Sequence, residues 1–491
     1  MTNHKKDLNA QKNQTIRTPL ASHTRRGKNL LPPFAMMKNR LSLCSWMNDR
    51  LPEMLWAALI LAAFPRKDAL TILSKILKFI LHHKHSNTMN DLTLTGISKI
   101  PVSIREELLE YLVITSNGTK SLWPLLLYDD LPGKEAWSKF IPDCDQDISL
   151  LIKAVGYCLD HQSQESTDCR WVRLMGQVVG GKLHVPEEQL KQWCEYPDSL
   201  AQQSIMPSIR AAEACPMPFM EINSSWPESF WHQSWKATPC FGVEPEQEKC
   251  QNDIQAEIAS IINVHDKLHL HWNNTHSTTA IDAKHDAIFG IAFYSLLILE
   301  ELTEGITASG ITGRLALRTL LELRICLHFL TNESSDELWH KWRAYGTGQA
   351  KLNALRFENS TPPNYISQES LAEIANEDLW QEFVTINIGS WHALDLRKVS
   401  ERIGLKDEYD AYYSWSSGYV HGTWGAIREA CFSTCENPLH RLHRCLNNQP
   451  LRTTFFDAAL LVDKILADLD TCYPGFEWRI NPNSSPLEAP E

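Results

Sequence analysis

The stretch "GRLALRTLLELRICLHFL" (Gly313–Leu330) predicts the fold class of the second half of the chain. Apolar residues recur here every three or four positions, which is the period of a helix and not of a strand. Arg314, Arg318 and Glu322 then lie on one stripe, each four residues from the next. Because the rest of this helix is apolar almost all round, we expect a buried helix that carries a buried Arg–Glu pair.

A buried pair of Arg318 and Glu322 favours a functional role over a structural one. Taking two charges out of water costs on the order of several kcal/mol per ion, so a buried ion pair is weak evidence for stability. The alternative is a solvated helix face, on which such an i, i+4 pair contributes about 0.3–0.5 kcal/mol. A second pair with the same spacing, Arg324 and His328, lies on another face of the predicted helix.

A later stretch, "WSSGYVHGTW" (Trp415–Trp424), contains one histidine, His421. Imidazole titrates near neutral pH, so His421 is a candidate general acid or base. The hydroxyl groups of Ser417 and Tyr419 are candidates for hydrogen bonds to a phosphate or to the imidazole. The alternative for His421 is a ring that packs against one of the two flanking tryptophans at a helix end.

The whole chain predicts a mostly α fold with two helical domains. Its 491 residues exceed what one hydrophobic core usually supports. In the first domain, the alternation in "RWVRLMGQVVGGKLHVP" around Gly180 and Gly181 predicts a small β-hairpin. The predicted divisions are a disordered basic tail (1–45), an N-terminal helical domain with a Trp/Pro-rich connector (46–250), a C-terminal helical domain (251–480) and a flexible tail (481–491).

Charge and composition restrict the classes of partner. Residues 1–50 hold ten Lys/Arg against two Asp/Glu, and the remaining 37 basic and 57 acidic residues make the rest of the chain strongly acidic. Such a surface disfavours broad binding of duplex nucleic acid. The longest apolar runs, Met54–Phe64 and Ile288–Leu299, are too short to span a bilayer, so no membrane association is expected. Thirteen scattered cysteines without a secretion signal predict reduced thiols in the cytoplasm.

Metal-ligating residue types are concentrated in "CFSTCENPLHRLHRC" (Cys431–Cys445). The candidate ligands are Cys431, Cys435, His440, His443 and Cys445. Their spacings do not match those of zinc fingers, so buried thiols and surface histidines are expected, and no metal or other cofactor is predicted. A structural metal remains the alternative for this segment.

Residues 310–424 resemble the family named domain of unknown function 5677. The resemblance rests on "RTLLE" (Arg318–Glu322), on Trp339, Trp342 and Tyr345, and on "RKVSERIGLKDEYDAYYSWSSGYVHGTW". That family is helical and akin to HEPN (higher eukaryotes and prokaryotes nucleotide-binding) domains. Several HEPN domains are metal-free ribonucleases in defence and toxin–antitoxin systems, so the resemblance implies a HEPN-like bundle for residues 251–480 and RNA as a substrate.

One departure from the HEPN pattern changes the predicted site. HEPN nucleases place four to six residues between an arginine and a histidine, whereas "RICLH" (Arg324–His328) has three. A nuclease site would therefore be assembled from two helices. The predicted catalytic residues are Arg318, Glu322 and His421, and the predicted substrate-binding residues are Arg314, Ser417 and Tyr419.

Two functions follow from this sequence. The first is a HEPN-like effector of a bacterial defence or toxin–antitoxin system that cleaves RNA without a metal. The second is a non-catalytic sensor or scaffold that binds a partner protein or a nucleotide, since aromatic residues such as those of the connector favour interfaces. The expected partners are RNA, a protein encoded nearby and a second copy of this chain.

Overall fold

The fold is described by a computed structural model. It covers residues 22–31, 45–141, 148–214, 225–242, 250–333, 335–377, 383–392, 394–446 and 450–480, and of residues 250–256 it describes the backbone alone. The described residues confirm a mostly α protein with small two-stranded sheets. Among these described residues, no helix combines the length and the apolar character that crossing a membrane requires.

The chain forms two compact units. Unit 1 comprises Met1–Val243 and Thr434–His443, and unit 2 comprises Glu244–Ser433 and Arg444–Glu491. The division near residue 243 lies close to the predicted boundary at 250. The short segment 434–443 differs from the prediction, because it is part of unit 1 although the chain around it belongs to unit 2.

Unit 1 is built from short helices around one apolar core. Its strands are β1 (Thr24–Arg26) and β2 (Asn29–Leu31), and its α-helices are α1 (Leu51–Glu53), α2 (Leu55–Ala63), α3 (Arg66–His82), α4 (Leu94–Lys99), α5 (Val102–Thr115), α6 (Gly118–Ser121), α7 (Lys134–Phe140), α8 (Ser149–Leu159), α9 (Gln164–Val179), α10 (Glu187–Glu195), α11 (Gln202–Ala214) and α12 (Trp226–Ala237). A π-helical turn (Trp46–Arg50) and 3₁₀ turns at Ser86–Thr88, Trp123–Leu127 and Tyr196–Asp198 complete it. Large aromatic side chains fill the core, with Trp56, Trp137, Trp193 and Trp226 fully buried.

The small hairpin of unit 1 lies elsewhere than predicted. It is the antiparallel pair β1–β2, in which Thr24 lies opposite Leu31. This pair falls within the segment predicted as a disordered tail, of which residues 1–21 and 32–44 lie outside the described residues, as does the predicted flexible tail 481–491.

The segment around Gly180 and Gly181, predicted as a hairpin, is the end of helix α9. A Cβ atom on Gly180 would lie 2.5 Å from Cβ of Asn90, so this glycine permits close packing against the chain after α3. Gly181 has a φ of +74°, and a glycine in this left-handed conformation commonly ends a helix. The apparent alternation therefore reflects a helix that is buried on nearly all sides.

A buried cluster of charges joins the π-helical turn, α9 and α11 of unit 1. Arg50 and Arg173 each donate a hydrogen bond to the carboxylate of Glu213. Nε of Arg170 lies 3.7 Å from the same carboxylate, and the guanidinium group of Arg170 stacks 4.4 Å from the centroid of the Trp46 ring. All four charged side chains are buried, and burial lowers the pKa of Arg170 to about 10.

Unit 2 contains the longer helices. These are α13 (Cys250–Thr275), α14 (Ala283–Glu301), α15 (Ile311–Glu333), α16 (Asp336–Arg356), α17 (Gln368–Ala375), α18 (Leu396–Arg402), α19 (Lys406–Val420), α20 (Trp424–Cys431) and α21 (Phe455–Cys472), with 3₁₀ turns at Thr307–Ser309 and, in the segment that belongs to unit 1, Pro438–His440. The strands β3 (Phe432–Thr434) and β4 (Arg444–Leu446) pair with each other. Helix α15 is central, because it packs against both α19 and α21.

Candidate functional site

The packing of α15 against α19 brings the two predicted stretches together. Nη1 of Arg318 donates a hydrogen bond to Oγ of Ser417 at 3.0 Å, and Nε of Arg318 donates to Oε1 of Glu322 at 2.9 Å. Helix α15 supplies the arginine and the glutamate one turn apart, and α19 supplies the serine. Three of the six predicted site residues are therefore in direct contact.

Tyr413 is a further member of this cluster that sequence reasoning missed. Nη2 of Arg318 donates to the hydroxyl oxygen of Tyr413 at 3.0 Å, and the guanidinium carbon lies 4.6 Å from the centroid of that ring. Tyr413 precedes Ser417 by one helical turn, so both face α15. The i, i+4 spacing of two hydroxyl side chains was the available signal.

The prediction of a buried Arg318–Glu322 pair was wrong. The side chain of Arg318 is 16% exposed and that of Glu322 is 44% exposed. Of the two side chains, that of Arg318 faces α19 and that of Glu322 is turned towards solvent. The pair is therefore half-open, and a ligand can approach its carboxylate side.

His421 lies one turn beyond Ser417 at the end of α19. Its backbone N–H donates to the carbonyl oxygen of Ser417 at 3.1 Å, so its side chain leaves the helix on the same side as that of Ser417. The imidazole is exposed, and within the described residues it has no hydrogen-bond partner. It is thus available to a ligand.

The tryptophans that flank His421 are also exposed. Trp415 is 57% and Trp424 is 66% exposed. Nε1 of Trp415 donates to a carboxylate oxygen of Glu429 at 3.0 Å, which fixes the orientation of its indole ring. The ring of Trp424 lies 6.0 Å from that of Phe432. Within the described part of the chain, the tryptophan ring contacts are made with residues other than His421.

Arg314 and Tyr419, both predicted to bind substrate, are buried. The guanidinium carbon of Arg314 lies 5.7 Å from the centroid of the Tyr419 ring, and the Tyr419 hydroxyl donates to Glu429 at 2.6 Å. Burial, reinforced by the neighbouring Glu429 carboxylate, raises the pKa of Tyr419 to about 12, so the hydroxyl stays protonated near neutral pH. In this structure both side chains fix the end of α19 beside His421.

The second arginine–histidine pair of α15 forms a separate polar cluster. Arg324 donates a hydrogen bond to Asp468 of α21, and Nδ1 of His328 lies 3.0 Å from the other oxygen of that carboxylate. This cluster lies on the face of α15 that packs against α21. His328 therefore already has a carboxylate partner, in contrast to His421.

A cluster of potential metal ligands lies in unit 1. The ligand atoms of Cys240, Cys435, His440 and His443 all lie within 4.8 Å of one another. Three of these residues were considered in the sequence. Cys431 and Cys445, the other two candidates, are not in the cluster, and Cys240 was missed because it lies in a distant part of the chain.

Comparison with known proteins identifies one segment. Residues 303–437 match the family described as "Family of unknown function (DUF5677)". The match includes all six predicted site residues and Tyr413, and the description of the family names no activity. The searches of curated proteins and of solved structures returned no match.

Proposed function

We propose that the chain cleaves single-stranded RNA, without a catalytic metal, at the cluster of Arg318, Ser417 and His421. The observation that carries this proposal is the hydrogen bond between Arg318 and Ser417. This bond connects Arg318 of α15 to the end of α19, where the exposed His421 lies. We also propose that the protein is a HEPN-like effector of a bacterial defence or toxin–antitoxin system, as the resemblance of its sequence implies.

The reaction needs a base and a cation, and the cluster has both. His421 takes the proton of the ribose 2′-hydroxyl while the 2′-oxygen attacks phosphorus. The bond from phosphorus to the 5′-oxygen breaks, that oxygen receives a proton from water, and the hydroxide left behind takes the proton that His421 holds. The products are a 2′,3′-cyclic phosphate end and a 5′-hydroxyl end.

Arg318 stabilises the charge that develops on the phosphoryl oxygens. A guanidinium group has five N–H donors, and three of them are used by Glu322, Tyr413 and Ser417. Within the described part of the chain, two of its N–H groups therefore remain for a phosphate, in a fixed orientation. Preorganised donors of this kind supply a large part of the rate enhancement in many enzymes.

The two exposed tryptophans favour a single strand as substrate. Proteins bind single-stranded nucleic acid by stacking bases on aromatic rings, at about 1–3 kcal/mol per base. Trp415 and Trp424 stand on either side of His421 in sequence and are both open to solvent. The acidic remainder of the chain disfavours a long duplex.

The test is cleavage of a single-stranded RNA by the purified full chain, in a buffer without added divalent metal. We expect ends with a 2′,3′-cyclic phosphate. The His421→Ala variant should be slower by at least about 100-fold, because a general base contributes roughly that much. His340→Ala, at an exposed histidine of α16, is the matched control and should cleave like the wild type.

Two results would reject catalysis at this site. One is a wild-type protein that leaves RNA intact, both alone and with the protein encoded nearby. The other is an RNA-cleaving His421→Ala variant with an unchanged rate. A strand whose riboses lack the 2′-hydroxyl should remain uncut by the wild type and by the variant. Cleavage of that strand would reveal a contaminating nuclease of another mechanism.

The second candidate function is a non-catalytic sensor or scaffold. It is favoured by the exposed Trp424, because tryptophan is a common anchor of protein interfaces. In that case Trp424→Ala should abolish co-purification with the protein encoded nearby, whereas His421→Ala should leave it unchanged. Loss of RNA cleavage in His421→Ala with intact partner binding supports the first function.

A further inference from the structure

Two thiols and two imidazoles converge on one point in unit 1. Sγ of Cys240 lies 3.4 Å from Nε2 of His443, and Sγ of Cys435 lies 3.4 Å from Nδ1 of His440. All four ligand atoms lie within 4.8 Å of one another. None of the residues proposed to act on RNA belongs to this group.

We propose that Cys240, Cys435, His440 and His443 bind one zinc ion in a tetrahedral site. Zinc lies about 2.3 Å from thiolate sulfur and about 2.0–2.1 Å from imidazole nitrogen, so a tetrahedron has sulfur-to-nitrogen edges of roughly 3.6 Å. The two observed distances of 3.4 Å are close to that edge. Two thiolates with two imidazoles are also the donor set that zinc prefers.

The short distances favour a single ion over an iron–sulfur cluster. Two cysteines and two histidines also hold certain [2Fe–2S] clusters, but there the histidines bind one iron and the cysteines the other. The width of such a cluster would separate sulfur from nitrogen ligands. Here each sulfur lies beside a different imidazole nitrogen.

A contact outside the ligand set orients His440. Its Nε2 lies 3.1 Å from the carbonyl oxygen of Thr238, so Nε2 carries the proton and donates to that oxygen. Nδ1 then offers its lone pair towards Cys435. Histidines that bind metals regularly donate their other ring N–H in this way.

The backbone before Cys240 is fixed by a buried amide. The side-chain amide of Asn437 donates to Oγ1 of Thr238 at 3.0 Å and to the carbonyl oxygen of Pro239 at 2.8 Å. Asn437 lies between Cys435 and His440 in sequence, and it contacts the two residues that precede Cys240. The ligand-bearing segments are therefore held together by contacts other than the ligands.

The turn between the two histidines adopts a conformation that needs external support. Arg441 and Leu442 have φ angles of 49° and 58°, and neither is a glycine. Residues other than glycine rarely adopt this left-handed backbone conformation, and residues held in it are concentrated at functional sites. The turn places the rings of His440 and His443 face to face, with centroids 5.0 Å apart.

The ion would be structural. Segment 434–443 belongs to unit 1, and its Leu439 is fully buried in the core of that unit. Cys240 follows helix α12 of the same unit. A zinc ion would thus attach the inserted segment to the end of α12 and stabilise unit 1, since binding free energy at a structural site is also folding free energy.

The test is the zinc content of the full chain, purified under reducing conditions without a chelator. We expect about one zinc ion per chain. Cys240→Ser should lose the zinc ion, because one of the four ligands is removed. Since Cys240 is exposed, its replacement leaves the core unchanged. Cys194→Ser, at an exposed cysteine of α10, and Cys431→Ser, at a neighbouring cysteine outside the cluster, are the matched controls and should keep it.

A second measurement does not depend on the variants. Cobalt added to the metal-stripped, folded wild type should produce the visible absorption of a tetrahedral site and thiolate-to-cobalt charge transfer. Absence of these bands overturns the proposal. A Cys240–Cys435 disulfide in protein alkylated at lysis overturns it too, as does a Cys240→Ser variant that keeps one zinc ion.

Discussion

Two of the Arg–Glu clusters among the described residues differ in burial and therefore in what they can do. In unit 1, three arginines converge on Glu213, and all four side chains are buried. In unit 2, Arg318 pairs with a Glu322 side chain that is 44% exposed, beside an exposed His421. The buried carboxylate of Glu213 is surrounded by protein groups, whereas the half-open pair leaves N–H donors of Arg318 for a ligand.

The largest expected effect is on the buried cluster. Replacing Glu213→Gln leaves the buried arginines without the carboxylate that neutralises them. We expect the free energy of unfolding of unit 1 to fall by about 3–5 kcal/mol, as when one partner of a buried ion pair is removed. Urea denaturation followed by tryptophan fluorescence measures it, and a loss below about 1 kcal/mol would mean that the cluster is not structural.

A smaller effect is expected at the half-open cluster when Tyr413→Phe removes one acceptor of Arg318. The lost hydrogen bond should cost about 1 kcal/mol of unfolding free energy. Tyr412→Phe is the matched control, because Tyr412 lies on the same helix as Tyr413 and its replacement also loses one hydrogen bond, to Asp457 of α21. Both variants should be similarly destabilised, but only Tyr413→Phe should slow RNA cleavage. Equal cleavage by the two variants would remove Tyr413 from the site.

The charge of Glu322 should matter least for stability. Glu322→Gln keeps the shape of the side chain, and the i, i+4 pair contributes only about 0.3–0.5 kcal/mol. Thermal unfolding should therefore be almost unchanged, in contrast to Glu213→Gln. A destabilisation as large as that of the Glu213 variant would erase the difference between the clusters.

A pH effect is expected from His285, which is buried in unit 2. Burial lowers its pKa below the ordinary value, the nearby carboxylates of Asp282 and Asp286 oppose this, and His276 and His271 add to it. Because the folded state prefers the neutral ring, the stability it contributes is present above about pH 6.5 and is lost as pH falls through the lowered pKa. Acid should thus destabilise the wild type more steeply than His285→Gln, and equal slopes between pH 7 and pH 5 would contradict this.

The sequence predicted the helices from local patterns, and it predicted the meeting of two of its segments from a family resemblance. Periodicity in Gly313–Leu330 indicated one helix. The resemblance covers both segments and led to a predicted site that joins them, and the structure shows a contact between Arg318 and Ser417. The exposure of Glu322 was not predictable, since it depends on where α19 ends relative to α15. The local sequence pattern does not determine the position of the end of one helix relative to another helix.

The same limit applies to the metal ligands. Cys435, His440 and His443 are close in sequence, but a fourth ligand was needed to make a site, and Cys240 precedes the whole of unit 2. Spacing within "CFSTCENPLHRLHRC" therefore did not match a zinc motif. The hairpin predicted at Gly180 failed for a related reason, because a helix buried on most sides lacks the one-sided pattern that identifies helices.

The most direct test of the central claim compares two arginines with the same spacing to a glutamate. Arg318→Lys keeps the charge but loses the fork that contacts three groups at once, whereas Arg397→Lys changes an exposed pair with Glu401 on α18. The rate of RNA cleavage and the free energy of unfolding are measured for both. We predict that Arg318→Lys slows cleavage by about 10-fold or more and that Arg397→Lys leaves it unchanged. Equal cleavage rates for the two variants would contradict a functional site at Arg318.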